Sequence, residues 1–322
     1  MSRDPHQEAL MAAAERLGIE ALPMPAAFGP DAVVYRRRGR RALVLEGRVY
    51  PELSVVADRL CALKPAMKAL LAEHGVPTPM GFAFTDAHAP EVVARAADGA
   101  RRPFVVKPVE GTHGDGVGLG LTDHEALVAW VRRHALVRTG WLVEDFVAGA
   151  DLRLQVLGGE VIAACTRVPA AVVGDGRRTL RALVAERAVE VAARNPLNAL
   201  VVDGETGALL ARQGLGVDDV PAAGREVVLK RLANMSQGAR AVDVTERLHP
   251  RWRAYVGRIA EALGLGTFAL DAVAVDPGAD PDDGGASVLE LNARAEWLHH
   301  TFSEGRTHDV PAMVLEHLLG AA

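Results

Sequence analysis

The chain reads as a mixed α/β or α+β protein, on three observations. Stretches with helical and with strand-like patterning alternate along its length. Its 322 residues suffice for about two domains and a substantial core without covalent staples. Hydrophobic residues make up 49% and charged residues 24%, the balance of an ordinary water-soluble globular protein, with so few aromatics (4%) that Ala, Val and Leu must fill the core.

Element by element, a helix is predicted from about Pro5 to Leu17, then short strands at Ala32–Arg36 and Ala42–Glu46. Pro65 suits the first turn of a helix running to His74, with Leu63, Met67, Leu70 and Leu71 as its stripe and Gly75 and Pro77 as its stop. Phe104–Lys107 reads as a strand closed by Pro108, and Gly111–Gly120 as a glycine-rich loop. Thr122-Asp123-His124-Glu125 fits a capping box for a helix carrying Leu127, Trp130 and Val131, and Trp141–Phe146 reads as a strand. Arg153–Leu157 and Val161–Arg167 form a hairpin through Gly158-Gly159. Gly174-Asp175-Gly176 turns the chain into a helix near Thr179. Trp252, Val256, Ile259 and Leu263 mark an amphipathic helix over Arg251–Leu263. Strands follow at Phe268–Val275 and Ser287–Asn292, and Asp276, Asp280, Asp282 and Asp283 between them lack calcium-loop spacing.

Several classes are excluded. No apolar run approaches the ~18 residues of a membrane span, and the charged N-terminus lacks a signal-peptide core. Cys61 and Cys165 have neither disulfide-framework nor zinc-ligand spacing, so a reduced, cytoplasmic setting is expected. The net charge of −5 leaves no footprint for nucleic acid. Arg36, Arg37, Arg38, Arg40 and Arg41 form the densest basic cluster and read as a solvated hairpin or an anion site. Of the 36 basic residues only Lys64, Lys68, Lys107 and Lys230 are lysines, so each surviving ammonium is a candidate for a specific task.

Three constellations carry chemistry. Lys107 precedes a run with Gly111, Gly114, Gly116, Gly118 and Gly120, where backbone N–H groups can approach phosphate because no Cβ blocks them. The run is neither a P-loop nor a dinucleotide fingerprint, and a plain surface loop is the alternative. Glu290 and Asn292 share one strand face, with Asp271 on the preceding strand. Such an oxygen-donor trio suits magnesium, unless its carboxylates pair with arginines on a wet sheet face. Val143 to Arg153, a strand ending in acidic residues and turning into another strand, could present Glu144 and its backbone to an adenine.

Together these segments resemble the ATP-grasp superfamily, and within it the ATP-grasp domain of cyanophycin synthetase and of glutathione-synthetase-like peptide ligases. The likeness runs from about Leu60 to Leu319 and includes Thr166–Ala170, Lys230–Ser236 and Leu289–Asn292 in family order. It implies an α+β ATP-grasp fold: an N-terminal α/β domain (1–78) and two α+β lobes (79–147 and 148–322) that sandwich ATP. It implies Lys64 and Lys107 on the ATP phosphates under a closing loop of Gly111, Gly114, Gly116 and Gly118. Glu144, Asp145, Phe146 and Val147 fall at the adenine and Asp151 at the ribose. Asp271, Glu290 and Asn292 fall at magnesium or manganese. Arg231, Asn234 and Arg153 are placed for phosphate or an acyl phosphate, and Arg167 and His299 for substrate; His113 could aid closure or proton handling. The implied reaction is ADP-forming ligation of a carboxylate to an amine, on an amino acid or short peptide, with a homodimer a family expectation. A nucleotide-binding module without catalysis and a phosphotransferase are the alternatives.

Departures are also visible. The relatives' Mur-ligase-like domain has no counterpart here, so two-step cyanophycin polymerisation is not expected. Met67 stands where a hydroxyl residue is usual. Ala293 to His300 replaces a glycine- and proline-containing turn near the acceptor and is one residue shorter.

Overall fold

A computed structural model of the chain describes residues 3–25, 31–85, 103–110, 116–134, 140–195 and 200–321. Asp4 starts helix α1 (Pro5–Arg16): its carboxylate accepts from the His6 N–H, and Pro5 sits where no intrahelical donor is lost. Strands β1 (Glu20–Pro23), β2 (Ala32–Arg37) and β3 (Arg40–Leu45) form an antiparallel sheet in that order. The arginine cluster is a hairpin, as expected, turning at Arg38 and Gly39, both at positive φ. β1 has no strand-like pattern; its pairing with β2 makes it a strand.

Helix α2 (Val55–Ala62) is absent from the sequence reading for a physical reason. Val55 and Val56 are β-branched and exposed, so no apolar stripe marks its start, and only the Ser54 cap announces it. Helix α3 (Lys64–Glu73) follows at once and buries Met67 and Leu71.

Strands β4 (Gly81–Phe84), β5 (Phe104–Pro108), β6 (Gly118–Leu121) and β7 (Trp141–Asp145) form an antiparallel sheet ordered β4-β7-β5-β6. Helix α4 (His124–Arg133) packs Leu127 and Val131 against Phe104, Val106, Trp141 and Val143. Two expectations need correction. The glycine-rich stretch is already a strand from Gly118, because a Cβ there would lie 2.9 Å from the Trp130 ring and from Val106. The α4 cap is Asp123, which accepts from the Ala126 N–H at 2.8 Å; Thr122 donates its hydroxyl to Asp123 instead.

The chain then enters strands β8 (Ala150–Leu157) and β9 (Glu160–Val168), joined as predicted by Gly158-Gly159. Strands β10 (Ala171–Val173) and β11 (Glu226–Val228) pair beside helices α5 (Leu180–Arg194) and α6 (Gly204–Arg212), which share a small apolar core with them. Strand β12 (Arg240–Asp243), helix α7 (Trp252–Leu263), strands β13 (Phe268–Ala274) and β14 (Ala286–Asn292), and helix α8 (Val310–Leu319) complete the elements used below. The five-stranded antiparallel sheet has the order β12-β9-β8-β13-β14.

The period of two gives that sheet two unlike faces. Leu152, Leu154, Val156, Phe268, Leu270 and Val288 pack on Trp252, Tyr255, Val256 and Ile259 of α7 and on Met67 and Leu71 of α3. Each buried large apolar side chain contributes about 1.5–3 kcal/mol there. The opposite face carries Asp151, Arg153, Cys165, Arg167, Asp271, Glu290 and Asn292. A separate apolar core joins α1, the first sheet, Trp297 and α8. Among the described residues no helix is long and apolar enough to cross a membrane.

Candidate active site

Three of the four lysines meet where the four-stranded and five-stranded sheets approach each other. Lys64 opens α3 and is 5% exposed, and Lys68 stands one turn further along. Lys107 lies on the face of β5 turned away from α4, and so does Glu144 of β7. The Glu144 carboxylate, 1% exposed, bridges the Lys68 ammonium on one oxygen and Lys107 Nζ on the other, the latter at 2.6 Å. Lys68 also donates to the Pro79 carbonyl. Lys107 Nζ reaches the Leu289 carbonyl of β14 at 3.4 Å, which ties the two sheets together at the ammonium cluster. Burial lowers the pKa of Lys64 and Lys68, opposed by Glu290 for Lys64 and by Glu144 for Lys68.

Asp271, Glu290 and Asn292 do come together, and a β-bulge is the reason. Ala272 pairs with Val288 but Asp271 pairs with Glu290, so Leu289 is an extra residue that brings Glu290 opposite Asp271. Asp271 Oδ2 accepts from Arg153 Nη1 at 2.6 Å and from Asn292 Nδ2 at 2.9 Å, and Oδ1 lies 2.9 Å from Arg167 Nη2. Arg167 also binds Asp151 through Nε and Nη2, at 2.9 and 2.7 Å. Burial works against the Asp271 carboxylate, yet Arg153 and Arg167 keep its pKa below the usual value. Asp271 therefore does pair with arginines, but it is itself buried rather than on a wet face.

Glu290 differs. It has no hydrogen-bond partner among the described residues, and burial raises its pKa against the pull of Lys64 and Lys107. A half-buried carboxylate beside an amide oxygen is an all-oxygen donor set, and it fits a hard divalent cation. Asp271 fits less well, because two guanidinium groups already hold it.

The remaining expected residues are dispersed. Gly116 gives its carbonyl to Trp130 Nε1 at 3.0 Å, while Gly118 is the packing glycine of β6. Gly111, His113 and Gly114 lie outside the described residues. Asp145 ends β7, Phe146 is 43% exposed, and Val147 follows in the connection to β8. Arg231 is exposed and donates Nη2 to the Leu119 carbonyl of β6 at 2.8 Å, a second tie between the units. Asn234 caps a short 3-10 turn by accepting from the Ser236 N–H and hydroxyl. Lys230 pairs with Asp203 at 2.5 Å, beside α6 rather than with the other lysines.

His299 is buried, with Nδ1 2.6 Å from Glu296 Oε2. Glu296 also accepts from the Leu298 N–H at 2.7 Å, lies 3.3 Å from His6 Nε2, and gives its carbonyl to Arg153. Burial opposes the Glu296 charge, and His299 and His6 hold its pKa well below the carboxylate range nonetheless. Sequence reasoning noted Glu296 only as part of an altered turn. Its spacing of three from His299 was the available signal.

Residues 63–187 match the RimK-like ATP-grasp domain. The chain is similar to the cyanophycin synthetase of Trichormus variabilis, 28% identical over 322 residues that cover 98% of this chain and 35% of that protein. It is also similar to the glutathione biosynthesis bifunctional protein of Streptococcus agalactiae, 28% identical over 85% of this chain and 38% of that protein. The chain thus spans about a third of the length of these curated relatives. The crystal structure of a bifunctional glutathione synthetase from Pasteurella multocida superposes with a TM-score of 0.71 at 24% identity, over 98% of this chain and 44% of that one. The chain has the mixed helices and antiparallel sheets of the ATP-grasp fold, and its residues 63–187 are similar to the RimK-like ATP-grasp domain.

Proposed function

We propose that the chain is an ATP-dependent, ADP-forming carboxylate–amine ligase acting on an amino acid or short peptide. The observation that carries the reading is the convergence of Lys64, Lys68 and Lys107 at the junction of two sheets, next to the half-buried Glu290. Ammonium groups gathered at one junction suit a polyphosphate, whose charge they can meet without large reorganisation. In this reading Lys64 and Lys107 hold the phosphates, and the segment that includes Gly116 and Gly118 closes over them. Glu144, Asp145, Phe146 and Val147 border the adenine and Asp151 the ribose.

ATP-grasp ligases use ATP and a divalent metal. Glu290 and Asn292, with Asp271 if it releases an arginine, are the residues that would hold the ion. Such an ion neutralises phosphate oxygens. The substrate carboxylate attacks the γ-phosphorus, forming a P–O bond as the bond to ADP breaks. The amine then attacks the acyl carbon, and phosphate leaves with its electron pair. Arg153, Arg231 and Asn234 are assigned to the developing charge, and Arg167 and His299 to substrate. Exclusion of water protects the acyl phosphate from hydrolysis.

The test is incubation of the pure chain with ATP, magnesium and pooled amino acids and short peptides, following ADP and new amides by mass spectrometry. ADP formation with a matching amide supports the reading. Nucleotide binding without ADP formation in any pool would replace it with a non-catalytic module.

A further inference from the structure

On the same sheet face as the arginine–carboxylate network lies a second cluster, of which the ligase reading uses only His299. Cys165 sits on β9 directly across from Arg153. A 3-10 turn, Leu298–Thr301, carries His299 and His300. All three side chains are buried, at 0%, 2% and 0% exposure, and their ligand atoms lie within 4.8 Å of one another. The imidazole centroids are 4.2 Å apart.

Three of the four ring nitrogens are unsatisfied. His299 Nδ1 is taken by Glu296, which leaves Nε2 with no partner, and neither His300 Nδ1 nor Nε2 has one. Buried polar atoms without partners cost about 1–3 kcal/mol each, so three together call for a ligand. We propose that Cys165, His299 and His300 form a zinc site.

The chemistry agrees on four counts. One thiolate and two imidazoles make a borderline-soft donor set suited to Zn²⁺. Glu296 on His299 Nδ1 is the carboxylate–histidine arrangement that orients a metal-bound imidazole and raises its basicity. Burial keeps His300 neutral, as a ligand must be. Charge also balances: Asp151 and Asp271 answer Arg167 and Arg153, while the thiolate and Glu296 answer the ion. Burial pushes the free Cys165 thiol up to about 12, and coordination deprotonates it outright, releasing its proton to solvent. Tetrahedral zinc needs ligand atoms about 3.3–3.6 Å apart, so atoms that now lie within 4.8 Å of one another would draw together on binding. The ion would clamp the 298–301 turn to β9 and so hold Arg153 and its neighbours in place.

The test uses the full chain with any affinity tag removed, stripped with chelator and titrated with zinc alone against a chromophoric competitor, then with cobalt(II). One equivalent of submicromolar zinc and a thiolate-to-cobalt charge-transfer band are expected. Cys165→Ala should abolish the band, His300→Gln should weaken zinc at least tenfold, and Cys61→Ala should change neither. X-ray absorption of the zinc-loaded wild type, which needs no variant, should give one sulfur and two imidazoles. Absence of stoichiometric binding, a band that survives Cys165→Ala, or a nitrogen–oxygen shell without sulfur would each overturn the proposal. None of these readouts involves ATP turnover, so the site can stand or fall apart from the ligase reading.

Discussion

Replacing Glu144 with Gln keeps the shape of the ammonium cluster and removes the carboxylate that Lys68 and Lys107 share. Glu144 is 2% exposed in its side chain, and Lys68 and Lys107 are 11% and 10% exposed, so water cannot take over. At 2.6 Å the Lys107 pair alone has a gross attraction of about 6 kcal/mol at an effective dielectric near 20. Breaking a buried pair from one side costs about 3–5 kcal/mol net. The expected result is a loss in that range by urea titration, and a Tm lower by roughly 6 °C or more. The loss should shrink on the alkaline side. Burial already places the Lys68 pKa below its ordinary 10.5, and without Glu144 it falls further. Between that lowered value and 10.5 the unfolded chain binds the extra proton, so stability rises with pH across the window. Added triphosphate should stabilise the variant more than the wild type, since its ammonium groups lack an anion. A variant within about 0.5 kcal/mol of the wild type, or one that gains nothing extra from triphosphate, would refute the reasoning.

Three further outcomes follow from the structure. Lys107→Ala and Glu290→Ala should abolish ADP formation with circular dichroism unchanged; wild-type turnover in either would misplace the site. Burial raises the Asp203 pKa, but hydrogen bonds from Lys230 and Thr206 outweigh it and hold it at about 2. Its stabilisation is therefore complete above about 3.8 and lost as pH falls through 2. Because Asp203 is 43% exposed the ion-pair share is about 1 kcal/mol, and Asp203→Asn should flatten that part of the acid limb in a pH series of urea titrations. Gly47 has φ +64° and a Cβ there would lie 2.6 Å from His6 Cβ and against the His6 and Gln7 backbone, whereas Gly39, at φ +79°, faces open space. Gly47→Ala should thus cost well over the roughly 1–2 kcal/mol of left-handed strain expected for Gly39→Ala, as equilibrium unfolding would reveal.

Much of the site was legible because its residues are marked locally. Lys107 precedes a run of glycines, Glu290 and Asn292 sit two apart on an apolar strand, and lysine is scarce enough for each one to be conspicuous. Other contacts come from a third element. The Trp130 ring of α4 packs where a Cβ of Gly118 would lie. Lys230, next to Arg231 in sequence, is held by Asp203 at the start of α6.

Periodicity, caps and turns settle α1, α7, the β8–β9 hairpin and the two-faced sheet without tertiary information, because each is a property of neighbours within a few residues. Other features were decided only when distant segments packed. The bulge that sets Glu290 against Asp271 exists in the pairing of two strands. The Arg153–Asp271–Arg167–Asp151 network needs three strands, 118 residues separating Arg153 from Asp271. Cys165 and the His299–His300 pair are unremarkable in sequence, and only the packed fold brings them together with three imidazole nitrogens unpartnered. Charge pairing and burial act through space at a few ångströms, and a sequence lists those partners without stating their distances.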